Sequence, residues 1–279
     1  MKLLILQSMW AMENILPGGD TLPLPEAVRR IAEHGFAGVT DHFTDRRHVR
    51  RLTQELRPLG LTAEAQCFPK SVDELQPTLE LAAEFGCHHV TIQPDVRTRD
   101  KQAALALLRG WQRLAEQVDF PVLVETHRYR LTNDLFFTLE LLEELPSLRL
   151  VGDLSHYVAG HELPLVEGDP QAEAQLKAIM RHCHAYHGRV SNCEQVQLPI
   201  SFAQHQPWLE QYRRLWRWGF ANWCERAAPG DSLAFTCELG TRPYAITGAD
   251  GQDITDRWAE SLQLKQLAET IWAEVAPQA

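Results

Sequence analysis

The chain has 279 residues, of which 44% are hydrophobic and 23% charged. Those are ordinary globular proportions, and they exclude a disordered, collagen-like or coiled-coil chain. The formal net charge of -10 opposes a general nucleic-acid role, because neutralising phosphates with Lys and Arg supplies most of such affinity.

The first apolar run, Leu3 to Leu6, is broken by Gln7 and Ser8. It is too short for a signal-peptide core, and no later stretch reaches the roughly 18 apolar residues of a membrane helix. Six cysteines at 67, 87, 183, 193, 224 and 237 include no Cys-x-x-Cys pair, the usage of reduced thiols. The expectation is a cytoplasmic protein with no membrane partner.

In chain order, short runs rich in β-branched residues alternate with segments of helical spacing, the pattern of repeated βα units on a parallel sheet. Strands are predicted at 2–9, 38–42, 62–68, 89–93, 122–126, 148–153, 185–190 and 233–238. Pro25 opens the first helix and Gly35 closes it. Ser71 and Glu74 form a capping box for the third helix, which Gly86 ends. Asn133 or Asp134 caps a fifth helix at 136–145, stopped by Pro146. The last helix presents Trp258, Leu262, Ile271, Trp272 and Val275 as an inward stripe. No linker rich in Pro, Gly or Ser intervenes, so one domain over 1–279 is expected. Eight βα units make a (βα)8 TIM barrel. A doubly wound sheet usually has fewer strands and carries Gly-x-Gly-x-x-Gly after the first, where this chain has Gln7-Ser8-Met9-Trp10.

Barrel active sites lie where the strands end. The first four end in Gln7-Ser8, Asp41-His42, Gln66 and Gln93. The last four end in Glu125-Thr126-His127, Asp153-Leu154-Ser155-His156, His187-Gly188-Arg189 and Cys237-Glu238. Taken singly, Glu125 or Asp153 reads as a cap or salt-bridge partner at a βα turn, and His187 as a partly buried histidine. Together, Glu125, Asp153, His187 and Glu238 supply carboxylate oxygens and one imidazole to a point on the axis. That set suits one divalent cation such as Mn²⁺, Mg²⁺ or Co²⁺, with Zn or Fe as alternatives. His156 either contacts substrate or bonds within its loop. Arg189 either holds a substrate oxygen or pairs with a site carboxylate. His182 and His184 belong to a helix end and strand entry. Trp208, Trp216, Trp218 and Trp223 read as a packed helix face or subunit contact rather than a sugar platform. Arg46, Arg47, His48, Arg50 and Arg51 read as a solvated face.

At these residues the sequence resembles the xylose-isomerase-like barrel superfamily, which holds sugar isomerases, ketose 3-epimerases, hydroxypyruvate isomerase, inosose dehydratase and endonuclease IV. The resemblance spans nearly the whole chain. Its most specific parts are Glu125-Thr126-His127-Arg128, Gly152-Asp153-Leu154-Ser155-His156, His187-Gly188-Arg189-Val190 and Cys237-Glu238-Leu239-Gly240. It implies one metal held by Glu125, Asp153, His187 and Glu238, proton shuttling by Glu125 and Glu238, and substrate contacts from His156 and Arg189, with His127 beside them. The expected activity is isomerisation or epimerisation of a ketose, keto-acid or keto-cyclitol by proton transfer through a metal-stabilised enediolate. A lyase sharing the same early steps, with His156 or His127 as acid, is the alternative. Endonuclease IV feeds a three-zinc cluster partly from strand three, where this chain has Gln66; a phosphodiesterase or nucleic-acid partner is therefore disfavoured. No phosphate-binding glycine loop follows strands seven and eight. A homo-oligomer, dimer or tetramer, is expected, with Trp208 to Trp223 as its contact.

Overall fold

Eight parallel strands close on themselves in a computed structural model that describes residues 1–277. They are β1 (Lys2–Ser8), β2 (Gly38–His42), β3 (Thr62–Cys67), β4 (His89–Ile92), β5 (Val122–Glu125), β6 (Leu150–Gly152), β7 (Cys183–Gly188) and β8 (Ser232–Cys237), each paired with its neighbours in sequence order. β1 closes the ring on β8 in the register Leu3↔Leu233 and Leu6↔Thr236. All eight lie where the apolar runs predict them, with ends displaced by at most two residues.

The helices are α1 (Leu24–Glu33), α2 (Arg46–Leu56), α3 (Gln76–Phe85), α4 (Lys101–Ala115), α5 (Leu135–Glu144), α6 (Ser155–Gly160), α7 (Pro170–Met180), α8 (Gln206–Arg226) and α9 (Arg257–Val275). Asp45, Asp100, Asp134, Asp169 and Asp256 each accept a backbone N–H in the first turn of a helix, satisfying donors that no carbonyl can reach. The choice at α5 thus falls to Asp134, which accepts from Phe137 N at 2.8 Å. Gly35 and Gly86 take φ of +72° and +74° after α1 and α3, as left-handed helix ends require. The capping box shifts: Ser71 Oγ accepts from Glu74 N at 3.4 Å, but caps a single tight turn, Asp73–Leu75, and α3 begins only at Gln76.

Alternation along the strands separates two cores. Outward residues such as Ile5, Val39, Ala63, Val90, Leu150 and Phe235 pack under the helices. Inside the barrel, Leu6, Leu123, Val151, Ala185 and Ala234 form a separate aliphatic cluster. Trp216 and Trp223 of α8 are buried, Trp216 meeting Phe235 edge-on at 5.1 Å, while Trp208 and Trp218 are half-buried. The tryptophan-rich segment is therefore a packed helix face. The stripe on α9 is corrected: Trp258 and Ile271 are buried with Leu264 and Ala268, whereas Leu262, Trp272 and Val275 are only half-buried. The basic run on α2 is exposed, as expected. Among the described residues no helix is long and apolar enough to cross a membrane.

Candidate functional site

Above the aliphatic layer the lumen turns polar. Glu125 is two residues beyond Leu123, Asp153 two beyond Val151 and His187 two beyond Ala185, so strand periodicity puts all three on the inner face. Glu238 follows Thr236 on β8 by the same rule. Local bonds hold these ends in place. Thr132 Oγ1 donates to the Glu125 carbonyl at 2.6 Å, and Thr126 Oγ1 donates to the Asp153 carbonyl at 3.0 Å, strapping the end of β5 to that of β6. Asp153 Oδ1 accepts from Ser155 N at 3.0 Å and from Ser155 Oγ at 2.5 Å.

The four expected metal-ligating residues converge. One donor atom each from Glu125, Asp153, His187 and Glu238 lies within 4.8 Å of the others, and all four residues are buried. His187 Nδ1 is 3.1 Å from Glu238 Oε2 and 3.4 Å from Glu125 Oε1. Arg189 reaches the same place: Nη1 is 2.6 Å from Asp153 Oδ2, Nη2 is 3.0 Å from Glu238 Oε2, and Nε donates to the Glu238 carbonyl at 3.1 Å. His127 and His156 stand beside the cluster with ring centres 3.8 Å apart, and each offers a donor atom within 4.8 Å of one on Glu125. Each predicted site residue is therefore in this group.

Three acids and two basic groups in so small a volume perturb one another strongly. Burial pushes the Glu125 carboxyl up to about 7 against the pull of His187, and raises Asp153 despite Arg189. Glu238 is equally buried, but His187 and Arg189 together overcome that and hold it at about 2. His187 is held well above the usual histidine range: burial opposes the charge, and the facing carboxylates of Glu238, Glu64 and Glu125 outweigh it. Burial pushes His127 down to about 3 and His156 well below its ordinary value, so both imidazoles stay neutral.

The neutral tautomers follow from the partners. His127 Nδ1 lies 2.5 Å from the Arg128 carbonyl and must donate to it, leaving Nε2 as an acceptor. Arg189 Nη1 is 3.2 Å from His156 Nε2, and a guanidinium only donates, so the His156 proton sits on Nδ1. That Nδ1 has no hydrogen-bond partner.

Neither carboxylate oxygen of Glu125 has one either, nor has His187 Nδ1, and Glu238 Oε2 faces the Arg189 guanidinium without an aligned hydrogen bond. Buried carboxylate oxygens without donors cost several kcal/mol unless a cation or proton compensates. These atoms, on two acids and one imidazole, face one another beside Asp153, and that oxygen-rich set fits a divalent cation.

Reading strand ends alone misses Glu64, fully buried in the middle of β3. Its Oε1 lies 2.9 Å from His187 Nε2 and accepts from Thr91 Oγ1 at 2.6 Å, while Oε2 accepts from Thr236 Oγ1 at 2.7 Å. Burial would raise its carboxyl, but His187 and His89 hold it well below the usual range. An acid two residues before Gln66, and so on the same lumen face of β3, is the signal that marks it. Trp10 and Tyr244 also escape strand-end reading: their rings meet edge-on at 5.1 Å, and the Arg189 guanidinium sits 5.0 Å from the Tyr244 ring centre. Gly240 makes room for Trp10, since a Cβ there would fall 1.9 Å from the indole.

A closed parallel barrel whose last four strands deliver carboxylates and an imidazole to one buried point is a TIM barrel with a candidate metal site. The chain belongs to the xylose isomerase-like TIM barrel family, whose model matches residues 28–225. Among solved structures, a xylose isomerase-like TIM barrel protein from Mycobacterium smegmatis in complex with magnesium aligns with a TM-score of 0.62 at 14% identity, over 96% of this chain and 98% of that one. A D-psicose 3-epimerase in the presence of D-fructose aligns at 0.55 and 12%, over 99% of both chains. An AP endonuclease of family 2 from Brucella melitensis aligns at 0.53 and 14%, over 86% of this chain and 93% of that one. At these identities the likeness is one of fold. No curated protein matches the chain.

Proposed function

We propose that the protein is a divalent-metal-dependent isomerase or epimerase acting on a ketose, keto-acid or keto-cyclitol. The observation that carries this reading is the Glu125 carboxylate, buried with neither oxygen hydrogen-bonded, within 4.8 Å of donor atoms on Asp153, His187 and Glu238. Those four residues would hold the cation, and Mg²⁺, Mn²⁺ or Co²⁺ suits their oxygen-rich set. When bound, such an ion supplies Lewis-acid polarisation of a carbonyl and its neighbouring hydroxyl.

The protein's own groups do the rest. Glu125 and Glu238 enter from β5 and β8, so they address one carbon from different sides. One takes the proton next to the carbonyl and the other returns a proton. Arg189 presents its guanidinium to a substrate oxygen, and the unpartnered His156 Nδ1–H donates to another. Trp10 and Tyr244 stand beside that guanidinium and exclude water from it.

Metal content of the purified protein, an Asp153→Ala control and solvent deuterium exchange test this together. We expect one divalent ion per chain, lost in Asp153→Ala, and deuterium entry next to the carbonyl of screened ketoses. Glu238→Gln should cut turnover by about 10²–10⁴-fold with the fold intact. Metal content that ignores Asp153, or full exchange in both Glu238→Gln and Glu125→Gln, overturns the reading. The orphaned His156 N–H also favours a second reading, a dehydratase in which that group protonates a leaving hydroxyl. Product mass separates the two, because dehydration loses water.

A further inference from the structure

His187 is the only imidazole among the four expected ligands, and its two ring nitrogens face opposite environments. Nδ1 looks at Glu125 and Glu238, while Nε2 lies 2.9 Å from Glu64 Oε1. An ionised carboxylate only accepts, so this contact keeps a proton on Nε2, and the proton that a cation displaces on binding is the one on Nδ1. Glu64 is itself immobilised: Thr91 Oγ1 on β4 donates to one oxygen and Thr236 Oγ1 on β8 to the other. Three strands thus fix one carboxylate whose contact toward the site is His187. Below lie the aliphatic cluster and His89, whose Nε2 is 3.7 Å from Glu64 Oε1 without a hydrogen bond, and an apolar side chain would pack there without burying a charge. Packing therefore does not account for an acid at this position.

We propose that Glu64 is a positioning residue that sets the tautomer and ring orientation of His187, so that Nδ1 is presented to a divalent cation. Partners of this kind on metal-bound histidines change affinity about 10–100-fold when removed. The inference rests on the metal-site reading above and adds to it a residue outside the expected ligand set.

Titration of the metal-free protein with Mn²⁺, followed by calorimetry, tests it in the wild type and in Glu64→Gln, which keeps the shape and loses the charge. The expected result is a Kd about 10–100-fold weaker in the variant, with circular dichroism unchanged. Equal Kd values in a wild type that binds Mn²⁺ overturn the inference and leave the metal site standing. A wild type that binds neither Mn²⁺ nor Mg²⁺ overturns both. Should Glu64→Gln fail to fold, ¹⁵N-histidine NMR of the Mg²⁺-loaded wild type decides, with His187 assigned by its loss in His187→Asn. Proton coupling on Nε2 and none on Nδ1 is expected; a proton on Nδ1 overturns the proposal.

Discussion

Histidines gather at both ends of the barrel, and the two groups behave oppositely. At the carboxyl end, His187 Nδ1 and His156 Nδ1 are buried without hydrogen-bond partners, beside the bare oxygens of Glu125. At the amino end, His88 has both nitrogens engaged, Nδ1 with His89 Nδ1 at 2.8 Å and Nε2 with Ser232 Oγ at 2.6 Å, and His184 Nε2 lies 3.2 Å from Arg226 Nη1. A cavity of about 730 Å³, lined by His88, His89 and His184, opens at that amino end. Volume is thus a poor guide to the site in this molecule. Unfinished hydrogen bonding is concentrated at the carboxyl end, while at the amino end His88 is fully engaged and only His89 Nε2 among these histidine nitrogens is buried without a partner.

The sharpest way to break this contrast is Arg189→Met. Removing the guanidinium leaves Asp153 and Glu238 without their buried counter-charge, so the metal-free protein should lose about 3–5 kcal/mol of stability. Saturating Mn²⁺ should recover much of that, because the cation supplies the missing charge. Urea denaturation with and without Mn²⁺ reads it, and an identical loss in both conditions would show that the carboxyl end is a structural salt bridge.

The amino end predicts a pH effect instead. Burial pushes His88 and His184 each down to about 4, while the unfolded chain titrates near 6.5. Above 6.5 both states are neutral and the two groups contribute no pH dependence. As pH falls from 6.5 toward 4 the unfolded state takes up protons first, so stability drops, by up to about 3 kcal/mol for each group. Urea midpoints at pH 7 and pH 4.5 should show the drop, and His184→Gln should flatten it. An unchanged slope in that variant contradicts the assignment.

The smallest effect sharpens the contrast at the rim. His48 Nε2 bonds Asp41 Oδ2 at 2.8 Å in a pair whose histidine is exposed and whose carboxylate is half-buried, and that hydrogen bond raises the His48 pKa. The folded state therefore holds this proton more tightly. The resulting stabilisation is present below pH 6.5 and disappears as pH rises through the folded value. His48→Ala should cost about 0.2–1 kcal/mol at pH 5 and almost nothing at pH 8, read from thermal midpoints.

Much of the barrel was legible because each strand is a short apolar run bounded by polar residues, and eight in alternation leave few topologies. The set Glu125, Asp153, His187 and Glu238 was legible for a related reason: strand polarity tells which end of a barrel strand carries chemistry. Glu64 was not, because it lies in mid-strand, where a charge is expensive and so unexpected. Its partners, Thr91, Thr236 and His187, come from strands remote in sequence. The face of α9 was misjudged because Leu262 and Trp272 lie on the edge of its contact with the barrel, while smaller Ala268 and Ser261 lie at the centre. Size and apolarity do not reveal which side of a long helix faces in when neither side is uniformly polar.

The aliphatic cluster of Leu6, Leu123, Val151, Ala185 and Ala234 has a consequence for traffic. It floors the barrel beneath the carboxylates, so the site is a cup with a single mouth rather than a tunnel. Whatever reacts there enters and departs by one route, and a molecule of product must clear the rim before the next substrate can descend. Under the proposed function, product and substrate would exclude each other, and inhibition by product would be competitive by architecture.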